Sequence, residues 1–122
     1  MESILKSIKK LLGISDEETN FDSDLIMHIN SVFAILNQMG VGPSKCFEII
    51  DDTAIWSDFI EEDASFNNVK TYIYLKVRLV FDPPLSSSVL SAIERQISEL
   101  EWRLNVNAEN NPMEERNDEY LY

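Results

Sequence analysis

The chain has 122 residues, enough for one compact domain and too few for two ordinary ones. Its 22 acidic and 10 basic residues give a formal net charge of −12, which argues against binding DNA through clustered phosphate contacts. An apolar fraction of 44% indicates a globular protein, and no apolar run approaches the ~20 residues of a membrane span, so we expect no membrane partner.

Two amphipathic helices are predicted in the first third of the chain. Residues Glu2 to Leu12 place apolar side chains at helical spacing, and Gly13 follows as a left-handed stop. Residues Phe21 to Met39 form a longer apolar stripe, for which Asp22 or Ser23 is the expected N-cap.

The segment from Lys45 to Asp63 is the least regular part of the sequence. Phe47 to Ile50 is predicted as a short extended piece, and Thr53 to Ile60 as one or two helical turns. Trp56 is interpreted as a core anchor rather than a ligand-stacking residue, because tryptophan usually contributes hydrophobic packing.

The segment from Phe66 to Phe81 fits a strand or a helix by pattern alone. Strands rarely exceed ~10 residues, so its length favours a helix. Asp63 or Ser65 is the expected cap, and Pro83-Pro84 is the expected stop.

The last predicted helix runs from Ser86 to Leu104, and no periodicity remains from Asn105 onward. The predicted fold is therefore all-α, a small bundle of about four to five helices over residues 1–104, with a flexible C-terminal arm over residues 105–122. Six side chains are expected to be buried in the bundle: Ile29, Phe33, Ile73, Val77, Ile93 and Ile97.

No motif in the chain has the spacing of a catalytic or metal centre. The single histidine, His28, and the single cysteine, Cys46, have no partner motif. The acidic clusters lack the pattern of a calcium loop, and the three glycines read as helix ends rather than a phosphate loop. The sequence predicts no enzyme, no cofactor and no metal, and a Cys46–His28 nucleophilic pair is kept only as a third alternative.

Six segments carry a family resemblance: Ile8–Ile14, Phe21–Asn30, Gln38–Pro43, Ala54–Phe59, Lys70–Pro84 and Glu99–Leu104. The likeness as a whole covers about residues 4 to 105. In these segments the sequence resembles the head–tail connector, or adaptor, proteins of tailed bacteriophages and of prophages in Gram-positive hosts.

The resemblance implies a non-enzymatic virion protein of the neck, assembled in the cytoplasm of the bacterial host. Such a protein docks under the portal protein and forms a ring with further copies of itself, commonly twelvefold. The ring extends the channel through which double-stranded DNA passes without specific binding, and it receives a neck or tail completion protein. The alternative reading is a small phage or prophage regulatory protein that binds a single protein partner.

The end of the chain is the predicted docking element for the portal. A polar, acidic tail cannot bury itself on its own domain, yet this one ends in aromatic residues that a partner is expected to cover. The predicted partner-binding residues of this arm are Trp102, Leu104, Val106, Tyr120, Leu121 and Tyr122.

Overall fold

Five helices form the described part of the chain, which comprises residues 2–61 and 65–110 of a computed structural model. The predicted all-α class is confirmed, and these two ranges contain no strand longer than an isolated bridge. The helices are α1 (Ile4–Leu12), α2 (Asp22–Gln38), α3 (Trp56–Phe59), α4 (Phe66–Phe81) and α5 (Ser87–Asn110).

Helix α1 begins two residues later than predicted because Ser3 caps it. The Ser3 hydroxyl accepts a hydrogen bond from the amide of Lys6 at 3.2 Å. Ser3 also forms an isolated antiparallel bridge with Ile55, which ties the start of the chain to the entrance of α3. Gly13 ends the helix at a φ of 80°, as the sequence predicts.

Helix α2 has no side-chain cap, so the predicted capping role of Asp22 or Ser23 is wrong. Both residues lie inside the first turn, and Phe21 occupies the N-cap position. The Asp22 carboxylate instead forms an ion pair with Lys9 of α1 at 2.8 Å. A negative charge in the first turn still favours the positive end of the helix dipole.

Helix α4 is the centre of the bundle and contacts α1, α2 and α5. It is antiparallel to α2, because Phe21 at the start of α2 meets Phe81 at the end of α4, with ring centroids 5.4 Å apart. All six predicted core residues are buried: Ile29, Phe33, Ile73 and Val77 at 0% exposure, Ile93 at 6% and Ile97 at 7%.

The connection between α2 and α4 is held by side chains rather than by regular structure. The predicted extended piece at Phe47 to Ile50 is not a strand. Instead the Asn30 amide pairs with the backbone of Ile49, accepting from its N–H at 2.8 Å and donating to its carbonyl at 2.9 Å. Trp56 is fully buried, which agrees with its predicted core role, and its indole N–H donates to the Ser7 hydroxyl at 2.8 Å.

Helix α5 is longer than predicted and ends at Asn110, six residues beyond Leu104. Residues 105–110 of the predicted arm are therefore helical, and residues 111–122 lie outside the described residues. Half-buried Ala108, four residues after Leu104, continues the packing face of the helix beyond that residue. At a span of about 36 Å for 24 residues, α5 is the longest element.

Candidate interaction surfaces

An exposed apolar surface, here called the corner patch, lies where α4 turns into α5. It comprises Phe21, Val80, Leu85 and Val89, whose exposures are 43%, 62%, 105% and 43%. Pro83 and Pro84 fix the backbone of this turn, so Leu85 cannot swing toward the core without a larger change. Val80, Leu85 and Val89 lie within ten residues of one another along this turn, and Phe21 meets its start through Phe81. Several exposed apolar side chains at one corner make it a candidate contact surface for another protein.

A second surface, here called the Trp102 groove, lies near the other end of α5. Trp102 is 66% exposed, and its position two residues from both Leu100 and Leu104 turns it away from the buried stripe. The groove beside it has a volume of about 380 Å³. It is lined by Ser65, Asn68, Trp102, Arg103, Leu104, Val106 and Asn107.

A part-buried hydrogen bond joins α4 to α5 next to this groove. The Tyr72 hydroxyl of α4 donates a hydrogen bond to the Glu101 carboxylate at 2.8 Å. Burial raises the pKa of Tyr72 above its usual value, and the hydrogen bond to Glu101 raises it further. Tyr72 therefore stays protonated at neutral pH and holds the turn of α5 that carries Trp102.

The predicted partner-binding residues fall into three groups in the structure. Trp102 is exposed and Val106 is half-buried, and both line the groove. Leu104 is only 1% exposed, because it is the last member of the buried stripe at i, i+4 spacing, so its side chain belongs to the core rather than to an exposed contact. Tyr120 to Tyr122 lie outside the described residues.

The corner patch is a feature that the sequence interpretation missed. The sequence pattern identifies Pro83-Pro84 as a helix stop and assigns Val80 to the helical apolar pattern before it, but it predicts no contact surface at Val80 and Leu85. A signal was present, because a rigid turn flanked by large apolar residues leaves them little freedom to reach the core.

The two residues considered for chemistry lie on different elements of the chain. His28 is half-buried on α2, and Cys46 is exposed in the following loop, where its thiol contacts the carbonyl oxygen of Phe47 at 3.9 Å. Within residues 2–61 and 65–110, no group of three or more His, Cys, Asp or Glu side chains is arranged to hold a metal ion. No helix in the same ranges is long and apolar enough to cross a membrane.

Comparison with known proteins identifies a family for this chain. No curated protein and no solved structure matches the chain significantly. The family described as phage connector protein matches residues 4–111, a range that contains all five helices of the described part and closely follows the segments of the sequence resemblance. The match covers most of the chain, and on this basis the protein belongs to the phage connector protein family.

Proposed function

We propose that the protein is a structural head–tail connector that assembles as a ring beneath the portal of a tailed phage. The ring extends the DNA channel and receives the next neck or tail component. The observation that carries this proposal is the family match over residues 4–111. The separation of the two exposed surfaces supports it. The corner patch lies at the start of α5, and Trp102 lies about 22 Å further along that helix, so one protomer can contact two partners at once.

Two different surfaces on one protomer suit a ring better than a two-fold dimer. In a ring each copy presents one surface to its left neighbour and another to its right, whereas a two-fold dimer uses the same surface twice. The proposed partners are the portal protein, a neck or tail completion protein and further copies of this chain, twelve in all by the resemblance. The location is the virion neck, after assembly in the host cytoplasm.

Double-stranded DNA is proposed to pass through the ring without being held. A net charge of −12 gives each protomer few cations for phosphate contacts, so specific or tight DNA binding is not expected. The protein is proposed to have no enzymatic activity and no cofactor. Replacing Cys46 with Ser and His28 with Gln should therefore leave assembly and infectivity nearly unchanged.

The end of the chain is proposed as the portal-docking arm, with Trp102, Val106 and Tyr120 to Tyr122 as its contacts. Because α5 continues to Asn110, a test truncation should remove only residues 111–122 and leave every described helix complete. We expect the truncated protein to retain its helical circular dichroism and to lose binding to isolated portal rings. If the truncated protein binds the portal with unchanged affinity, the portal contact lies on the helical body instead.

The connector role itself is tested by mixing the full-length protein with portal rings and imaging the product in negative stain. The expected result is an additional ring of density on one face of the portal, together with the protein's mass in purified virions. A monomer or dimer bound to one host protein, with no mass in virions, would support the regulatory alternative.

A further inference from the structure

Helix α5 buries one narrow stripe and leaves its opposite side exposed. It packs chiefly against α4, and its buried side chains between residues 87 and 109 are Ile93, Ile97, Leu100 and Leu104. Their spacing of four, three and four residues is that of a coiled-coil seam, which is narrower than the apolar stripe of an ordinary core helix. Most of the surface of α5 is therefore available to a partner outside the chain.

A second line of side chains with the same spacing runs along the exposed side of α5 and is here called the outer seam. At 100° per residue its mean direction lies about 150° from that of the buried stripe. A helix packed on the outer seam would therefore lie on the far side of α5 from α4. Trp102 is 66% exposed, Val106 is half-buried and the other four members are exposed. The outer seam consists of Ser88, Ala92, Arg95, Glu99, Trp102 and Val106.

The outer seam is complementary to itself in an antiparallel arrangement. The two-fold axis of such a pair crosses the middle of the seam, at the level of residue 97. Opposite charges then meet at the centre, and each large apolar side chain meets a small one from the second copy. Three kinds of pair form, each of them twice: Arg95 with Glu99, Trp102 with Ala92, and Val106 with Ser88.

The charge distribution also favours this side of the molecule. Residues 66–110 contain five acids and five bases, so the net charge of −12 comes from the rest of the chain. Copies that meet through α5 therefore avoid most of the repulsion that opposes other contacts. Next to the axis, the residues that flank the seam are the uncharged Gln96 and Ser98, so no like charges face each other there.

The two central charges are available for contacts with a second copy. Within the described residues Arg95 forms no salt bridge. Glu99 pairs with Arg103 of its own helix, but both side chains are more than half exposed, at 58% and 54%. An exposed pair of this kind contributes little, so Glu99 can exchange it for Arg95 of the second copy.

We propose that the free protein forms an antiparallel two-fold dimer through the outer seam of α5. The seam extends over about 27 Å of one helix, which makes a small interface with a dissociation constant on the order of micromolar or weaker. The central ion pairs specify the register more than they add affinity. Because the dimer covers Trp102, a partner that uses this residue must separate the two copies first. The dimer is a state of the free protein and does not depend on the proposed ring or portal contact.

Cysteine cross-linking of the full-length protein tests the register. In a Cys46→Ser background, Ser98→Cys places the two new thiols about 3 Å apart along the helices, whereas Ser91→Cys on the same flank places them about 18 Å apart. Under mild oxidation at equal concentration, Ser98→Cys should form a covalent dimer roughly tenfold faster than Ser91→Cys. Equal rates would overturn the antiparallel register, because a parallel pair brings both positions together.

Analytical ultracentrifugation tests the dimer and its central ion pairs. Arg95→Glu gathers four carboxylates at the axis and should raise the dissociation constant of the dimer roughly tenfold. Adding Glu99→Arg to that variant restores opposite charges and should return the constant to within about threefold of the wild type. Lys45→Glu makes the same change in net charge in the exposed loop after α2 and should leave the constant unchanged. A wild-type protein that stays monomeric up to millimolar concentration overturns the dimer, and failure of the double variant to recover overturns the pairing of Arg95 with Glu99.

Discussion

Lys9 is buried at 2% exposure and organises the chain between α1 and α2. Its ammonium group donates hydrogen bonds to the carbonyl of Glu18 at 2.6 Å and to that of Asp16 at 3.4 Å, and it pairs with the Asp22 carboxylate at 2.8 Å. A buried charge is tolerated only when such partners replace its water. One side chain therefore fixes the acidic loop and the first turn of α2 against α1.

We expect Lys9→Met to lower the free energy of unfolding by about 2–4 kcal/mol, because it leaves Asp22 and two carbonyls without their cation. Lys10→Met, which changes the net charge equally at an exposed neighbouring position, should cost no more than about 0.5 kcal/mol. Urea unfolding followed by circular dichroism measures both. Equal losses would show that charge alone, not burial, is responsible.

Gly42 is required both by its backbone and by its neighbour. Its φ is 89°, and a Cβ added there would overlap the Phe59 ring. Gly13 has a similar φ of 80° but no atom within 4 Å of a built Cβ. We expect Gly42→Ala to cost about 2–4 kcal/mol and Gly13→Ala only about 1 kcal/mol, by thermal unfolding. Indistinguishable losses would mean that Phe59 moves aside freely.

Tyr72 is expected to make the folded protein less stable as the pH becomes alkaline. Burial, and then the hydrogen bond to Glu101, raise the pKa of Tyr72 in the folded protein. Its contribution to the free energy of unfolding is therefore fully present below the ordinary tyrosine pKa of about 10, and it is lost as the pH rises beyond that value. Tyr72→Phe should cost about 1 kcal/mol at pH 7, where the hydrogen bond is lost, and should reduce the destabilisation seen above pH ~10. Tyr74→Phe, on the same helix, should retain that alkaline destabilisation. Unfolding free energies measured across pH 7 to 11 decide the matter.

At the scale of elements, prediction from sequence succeeded where local signals were strong. The observed ends of α4, Phe66 and Phe81, agree with the prediction. The length of the segment favours a helix, and Pro83 prevents the helix from continuing. The predicted end of α5 at Leu104 was wrong, because residues 105–110 have little apolar periodicity. Their helical conformation depends instead on tertiary contacts, such as the packing of Ala108 against the core. The pairing of Asn30 with Ile49 joins residues 19 apart and has no local signature.

The central position of α4 makes its buried side chains the most sensitive in the bundle. Ile73 has no exposed surface, and truncating it to Ala should cost about 2–5 kcal/mol through lost burial and a cavity. Val80→Ala, on the same helix at 62% exposure, should stay within about 0.5 kcal/mol. Denaturant unfolding of both variants checks the expectation. A small loss at Ile73 would mean that the helices around α4 repack.

At the scale of the whole molecule, apolar surfaces and net charge act in opposite directions. The corner patch and the Trp102 groove favour association, while a net charge of −12 on every copy opposes it. The acids also fall on connections, such as Asp51 and Asp52 in the exposed loop after α2. We therefore expect any assembly of copies to depend on screening or on a template that supplies binding energy.

We accordingly expect self-association of the isolated protein to increase with salt, because a Debye length of about 10 Å at 0.1 M shortens to about 3 Å at 1 M. Analytical ultracentrifugation should show small species at low ionic strength and larger ones at high ionic strength or in the presence of portal rings. Leu85→Ser, in the corner patch, should weaken the larger species. Met27→Ser, at 57% exposure on α2 outside both surfaces, serves as the control and should not. A stable ring of the isolated protein at low salt would contradict this expectation, since the apolar surfaces alone would then outweigh the repulsion between acidic copies.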